Sequence, residues 1–279
     1  MREIIAEEIT RTVARLCVEA NCHLPEDVKR CIEHCRQQET WETAVDILTR
    51  ITENYEIADR EDCPICQDTG VACVFLKVGQ DVHIVGDLTE AVNEGVRRGY
   101  REGYLRKSVV RDPLDRVNTG DNTPAMLYTE LVPGDKIEIT VAPKGFGSEN
   151  MSAIKMLKPS DGVEGVVDFV VQTVKNAGPN PCPPVVVGVG IGGTFDKAAY
   201  LAKKALLRPL DACNETPCYQ ALEQELLEKI NALGIGPQGF GGKTTALKVN
   251  IEAFPTHIAG LPVAVNINCH VTRHQTEVL

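Results

Sequence analysis

The sequence predicts a mixed α/β chain with a helical lead at its N-terminus. Three observations predict it. Apolar residues recur at helical spacing through residues 2–57. From Asp62 onward, short β-rich runs alternate with helical ones. Glycines and prolines gather between those runs, where turns are needed. The expected organisation is a helical segment at 1–60 packed on a main domain at 61–279.

Each element has its own reason. In the first helix Ile5, Ile9, Val13 and Leu16 return to one face. A second helix starts near Pro25, with Glu26 and Asp27 at its positive end and a stripe of Val28, Cys31, Ile32 and Cys35. A third carries Trp41, Ala44, Val45, Leu48 and Ile51. "VACVFLKV" (71–78) and "KIEITVA" (136–142) read as strands. Between them "LTEAVNEGVRRGYREG" is helical, with Val92, Val96 and Tyr100 one turn apart. "VEGVVDFVVQTVKNAG" places Val163, Val167, Val170 and Val174 on one face and stops at Gly178, although its valines also allow a central strand. "VVVGVG", "LKVNIEAF" and "LPVAVNIN" complete the strands. There is no internal repeat, low-complexity tract or clear linker.

Composition narrows the function. With 279 residues, 43% of them hydrophobic, the chain can build a substantial core. A net charge of −10 argues against nucleic acid and against an anionic membrane surface. It leaves room for a small anionic substrate, which needs only a few local arginines. The start, "MREIIAEEITRTVARL", is too charged for a secretory signal, and no stretch is apolar enough to span a membrane. The expected compartment is the cytoplasm. Eleven cysteines there suggest metal ligation for some of them, since a reducing cytosol disfavours structural disulfides.

Two glycine-rich stretches resemble nucleotide sites. "GVGIGG" after a valine strand loosely fits a dinucleotide fingerprint, but no acidic residue ends a second strand about 20 residues on. An NAD- or flavin-dependent enzyme is therefore a rival reading. In "GIGPQGFGGKTT" the position where a P-loop needs its first glycine holds Pro237, so the register fails.

The cysteines say more. Cys63 and Cys66 form a CxxC, but a zinc ribbon needs a second such pair. Cys31 and Cys35 lie on a helix with an apolar stripe and read as buried thiols, as do Cys17, Cys22, Cys73, Cys213 and Cys218. Three remain in unusual settings near predicted strand ends: Cys66 before "QDTG", Cys182 in "NPCPP" and Cys269 in "NINCHVTR". Prolines on both sides of Cys182 restrict its backbone. Three thiolates are one short of a full iron–sulfur ligand set. That deficit leaves one iron open as a Lewis acid.

On these residues the chain resembles the α subunit of the two-subunit, iron–sulfur class I fumarase and tartrate dehydratase family of hydro-lyases. The matching stretches are "CQDTG", "LRKSVVRDPL", "NTGDNTPA", "KGFGSENMSAIKML", "NPCPPVVVGVGIGGTFDKAAYLAKKALLRPL", "GIGPQGFGGKTTALKV" and "THIAGLPVAVNINCHVTRH". They run in the family's order over roughly residues 60–275, so 61–279 would be the catalytic domain. The resemblance implies that Cys66, Cys182 and Cys269 hold a [4Fe-4S] cluster. It implies that Gln67 and Asp68 face the substrate, with Asp68 as the general acid that protonates the departing hydroxyl. Arg106 would clamp a substrate carboxylate, Gly147 would offer backbone contact, and His257 would touch substrate. The glycines after "NPCPP" would shape a turn beneath a cluster ligand. Thr194 would cap the next helix, whose lysines would be mostly solvated.

The implied reaction is reversible hydration of a double bond between two carboxylates. Fumarate and (S)-malate are the expected pair, because "KGFGSENMSAIKML" is more fumarase-like. Tartrate and a methylated fumarate are the alternatives. Single-chain relatives continue into a second domain that carries the base and further cationic residues. The expectation is therefore half an enzyme, completed by a separate β subunit. A non-catalytic zinc- or cluster-binding assembly module is the rival of another class. It explains the cysteines but not Asp68, Arg106 and His257.

Overall fold

The computed structural model of the chain describes residues 2–279 and has a mixed α/β fold. The chain starts with β1 (Arg2–Ile5), α1 (Ala6–Cys22), α2 (Glu26–Gln38) and α3 (Glu42–Glu61). There follow β2 (Val71–Gly79), β3 (Val82–Val85), α4 (Leu88–Glu102), β4 (Met126–Val132) and β5 (Ile137–Lys144). Next come the short α5 (Phe146–Glu149), β6 (Ala153–Leu157), α6 (Gly162–Ala177), β7 (Val185–Gly192) and α7 (Phe195–Ala205). The last elements are α8 (Pro217–Asn231), β8 (Ala246–Phe254), β9 (Leu261–Asn268) and β10 (Gln275–Val278). No helix among the described residues is long and apolar enough to cross a membrane.

The chain condenses into two compact units. One holds residues up to Pro25, Asn54–Gly145 and Arg273–Leu279; the other holds Glu26–Glu53 and Phe146–Thr272. Residues of the helical lead thus belong to both.

The first unit is built on a four-stranded sheet in the order β10-β5-β2-β4, with β1 and β3 as a separate parallel pair. The centre of the sheet is apolar on both sides, since β2 is buried at all but one of its nine positions. Ala72, Val74, Leu76, Ile137, Ile139 and Val141 meet Ile9, Val13 and Leu16 of α1 and Val92, Val96 and Tyr100 of α4 in one core. The two helices approach closely because α4 presents glycines to α1. A methyl group at Gly95 would lie 2.7 Å from Val13 Cβ, and one at Gly99 2.6 Å from the Ala14 carbonyl oxygen. Ile5, expected on the first helix, ends β1 instead and is exposed.

The second unit is a four-stranded sheet in the order β6-β9-β7-β8, with β8 parallel and β9 antiparallel to β7. β7 is buried at every position, as an inner strand covered on both faces must be. On one face α6 and α8 pack Val166, Val167, Val170, Val174, Leu226 and Ile230 against it. The helical period therefore wins over valine's strand preference in α6. Val163, expected on the same face, points away and is 61% exposed. The other face is covered by α7 through Ala198 and Ala202.

That contact explains the first two glycines of "GVGIGG", which lie in a strand, whereas Gly192 and Gly193 have φ of 91° and 68° at its exit. Gly188 and Gly190 lie inside β7, directly under α7. A methyl group at either would sit 2.1 Å from a carbonyl oxygen, that of Ala202 or of Ala198. These glycines let a helix lie against a strand at backbone distance. Gly190→Ala should destabilise the chain by about 1–3 kcal/mol, the usual cost of overpacking. A urea titration checks this, and an unchanged midpoint would contradict the packing argument.

Thr194 stands at the N-cap of α7, but its hydroxyl donates to Asp196 at 2.6 Å and makes no capping bond. The α7 lysines are half-buried, not solvated: Lys203 pairs with Glu149, while Lys197 lies over the Tyr200 and Phe254 rings. Trp41 precedes α3 and is exposed; its indole donates to the Phe240 carbonyl at 3.2 Å.

Candidate active site

In the second unit the turn before β7 sets up Cys182. Gly178 ends α6 with φ 54°. The Cys182 amide then donates to the Pro179 carbonyl at 3.1 Å. Cys182 itself has φ 55°, a left-handed conformation rare for a residue with a side chain, and the Pro183–Pro184 peptide bond is cis. Hydrogen bonds hold this shape. The Cys182 carbonyl accepts the His270 amide at 3.4 Å and lies 3.0 Å from His270 Nδ1. The Gln238 side-chain amide nitrogen lies 3.3 Å from the same Nδ1. The Pro183 carbonyl accepts both the Gln238 amide, at 2.7 Å, and Gln238 Nε2, at 2.9 Å.

Sheet register brings Cys269 to the same place. Asn268, the last residue of β9, pairs with Val186 at the start of β7, so Cys269 emerges at the strand end where Cys182 enters. Cys182 is exposed and Cys269 half-buried. Gly147, in α5, borders the same turn: a methyl group on it would lie 3.9 Å from the Asn180 carbonyl oxygen. Glu149 anchors α5 by accepting Lys203 Nζ at 2.6 Å and Asn266 Nδ2 at 2.8 Å. Asn266 also donates to Ser152 Oγ at 2.9 Å, which ties the following turn to β9.

In the first unit Cys66, Gln67 and Asp68 occupy the loop between α3 and β2. The Asp68 amide points at Cys66 Sγ, 3.4 Å away, a donor that suits a thiolate. Asp68 Oδ1 accepts the Gly70 amide at 3.1 Å and so closes a tight turn. Gly70 is needed there: its φ is 70°, and a Cβ would lie 2.6 Å from the Lys144 carbonyl group. Gly145 faces the other carboxylate oxygen, Oδ2. Thr69 Oγ1 donates to the Arg106 carbonyl at 2.9 Å, which fixes the Arg106 backbone beside the loop. The Arg106 side chain is exposed. Buried Tyr100 donates from its hydroxyl toward the Thr69 and Gly70 carbonyls, and buried Asn122 donates to the Gly70 carbonyl at 3.2 Å. Arg273 donates through Nη2 to the Asp68 carbonyl.

The site residues therefore fall into two sets. Cys66, Gln67, Asp68 and Arg106 share one loop region in the first unit, and Cys182, Cys269 and Gly147 share one strand end in the second. His257 joins neither. It lies in the turn before β9, at the other end of the second sheet from Cys269, roughly 20 Å along the strand at 3.3 Å per residue. Its Nδ1 accepts the Ala259 amide at 3.2 Å.

The remaining thiols are of several kinds, from fully buried to exposed. Burial pushes the Cys17 thiol up to about 12. Burial, then Asp62 and Cys63, push Cys22 up to about 11. Cys31 is raised by its hydrogen bond with Cys35, which the same bond lowers. Cys213 and Cys218, expected to be buried, are exposed. A metal ligand must be a thiolate, so Cys17 and Cys22 are poor donors. Among the described residues no three His, Cys, Asp or Glu side chains gather into a ready-made metal site. Of Cys66, Cys182 and Cys269, the last two share a strand end, and the first has a backbone donor on its sulfur. That donor chemistry fits an iron–sulfur group.

Sequence reasoning missed His270, Gln238, Asn122 and Arg273. All four lie in "NINCHVTRH", "GIGPQGFGG" or "NTGDNTPA", so the stretches stand out in the sequence but these side chains do not.

The sequence model of the fumarate hydratase (fumerase) family matches residues 10–278. A putative L(+)-tartrate dehydratase subunit alpha of Methanocaldococcus jannaschii is 47% identical over 273 residues, covering 95% of each chain. The L(+)-tartrate dehydratase subunit alpha of Escherichia coli is 35% identical over 96% of this chain and 90% of its own. The corresponding subunit of Shigella boydii is 34% identical over the same shares.

Proposed function

Because this chain belongs to the class I fumarate hydratase family of carbon–oxygen hydro-lyases, we propose that it is the α subunit of an iron–sulfur enzyme hydrating fumarate to (S)-malate. Residues 61–279 form its catalytic domain and a separate β subunit completes the site. The observation that carries this reading is the pair of carbonyl clamps, His270 on Cys182 and Gln238 on Pro183, which set Cys182 at the strand end where Cys269 emerges.

Cys66, Cys182 and Cys269 would hold a [4Fe-4S] cluster. Bound there, that group supplies a Lewis acid for the hydroxyl that leaves. The other steps belong to the chain. Arg106 orients one substrate carboxylate, as a planar guanidinium suits. Gly147, lacking a side chain, admits substrate close to the backbone. Gln67 contacts the substrate beside Asp68. In the dehydration direction Asp68 protonates the departing hydroxyl, which is otherwise a poor leaving group. The proton on the neighbouring carbon goes to a base on the β subunit. His257, at the far end of its sheet from Cys269, is the further proposed substrate contact. The setting is the reducing cytoplasm, where these thiols stay available.

L-tartrate dehydration is the second reading, favoured by the names of the relatives. Tartrate differs from malate by one hydroxyl, which one or two polar groups can discriminate. Anaerobically purified α and β chains, alone and together, should be assayed with fumarate, (S)-malate and L-tartrate. The complex is expected to hydrate fumarate and the α chain alone to be inactive. A higher kcat/KM for tartrate would move the assignment to the second reading. Full activity of the α chain alone would remove the partner from the mechanism.

A further inference from the structure

We propose that Arg273 is a positioning residue for the catalytic loop, holding Asp68 through its main chain. The inference rests on the reading that Cys66–Asp68 form that loop. Three observations carry it. Arg273 is 4% exposed, an unusual place for a guanidinium. Its Nη2 donates to the Asp68 carbonyl, 205 residues away in sequence. Its Nε and Nη1 are buried and make no hydrogen bond among the described residues.

A buried charge without a carboxylate partner is costly, so its placement needs a purpose. Placement follows from the fold. Arg273 precedes β10, whose Gln275 pairs with Val141 of β5. Just past β5, Gly145 faces Asp68 Oδ2. The sheet thus meets the loop twice, at the Asp68 carbonyl through Arg273 and at its carboxylate through Gly145. Tyr100 and Asn122 hold the next residues, Thr69 and Gly70, by their carbonyls. Arg273 is the charged member of this set and the one that grips the acid itself. The unpaired Nε and Nη1 leave a positive charge beside a loop that carries a carboxylate and a metal-ligand thiol. The chemistry of both requires a fixed geometry.

The test uses Arg273→Met, which keeps length without donors, and Arg273→Lys, which keeps the charge and one donor group. Hydrogen–deuterium exchange on the isolated α chain reads the amides of residues 66–70 against those of β2 and β5. In Arg273→Met the loop amides should exchange about tenfold faster, the equivalent of one lost charged hydrogen bond, with the strands unchanged. Arg273→Lys should recover part of that protection. In the complex with the β subunit, Arg273→Met should lower kcat by about a hundredfold with KM within about threefold, the pattern of a misplaced catalytic group. If Arg273→Met does not fold, the lysine variant decides, since loss of loop protection there still separates positioning from bulk. Unchanged loop exchange, or protection lost evenly across loop and strands, would overturn the proposal. If the parent complex turns over no dicarboxylate, the functional reading fails, while the exchange data still decide the role of Arg273.

Discussion

Serine at Cys182 is expected to leave the α chain folded and without iron. Serine matches cysteine in shape and changes none of the backbone bonds around it. The amide still reaches Pro179, and the carbonyl still accepts the His270 amide. What changes is the ligand atom. A hydroxyl is a hard, weakly acidic donor and a poor substitute for a thiolate on iron. Parent complex purified without air should contain about four irons and four acid-labile sulfides per α chain. Cys182→Ser should contain less than about one, and activity should be lost with the metal. Cys66→Ser and Cys269→Ser should behave alike. Cys213→Ser, at another exposed thiol, should keep its iron. Zinc in the parent would favour the assembly module over the enzyme. Iron that survives in the serine variants would mean that other residues hold it.

The contrast between Cys182 and Cys213 shows what was legible in the sequence. Both thiols are exposed, and burial does not separate them. The flanking prolines did, because they announce a restricted backbone, and the structure gives Cys182 a left-handed conformation. Helices α1–α4 and α6 and the inner strands were legible for a similar reason, since periodicity is local, whereas α8 drew no reading. Less was legible where a residue's role depends on a distant partner. Gly188 and Gly190 look like a ligand loop, yet their neighbour is a helix that packs back onto the strand. β1, β3, β6 and β10 are four or five residues long, and only pairing with remote strands defines them. His270 and Gln238 clamp the Cys182 turn from 88 and 55 residues away. No local pattern marks such side chains. His257 shows the converse. Its motif was visible, but strand direction carries it away from the cysteines of its own unit.

Asparagine at Asp68 is expected to remove most of the turnover while leaving metal and substrate binding in place. The side chain has two separable duties. One is structural: Oδ1 accepts the Gly70 amide and shapes the turn. The amide oxygen that Asp68→Asn introduces accepts that bond equally well, so the loop should persist. The other duty is proton delivery to a leaving hydroxyl, which an amide cannot perform. General acid catalysis is worth about 10²–10⁴ in rate, so kcat should fall by that factor with KM little changed. Iron content should equal the parent's, because the Asp68 amide that faces Cys66 Sγ belongs to the main chain and survives the substitution. That separation is the force of the test. A variant that loses iron together with activity would make Asp68 a residue of the cluster's surroundings. One that keeps iron and full turnover would place the acid elsewhere, with the β subunit as the next place to search.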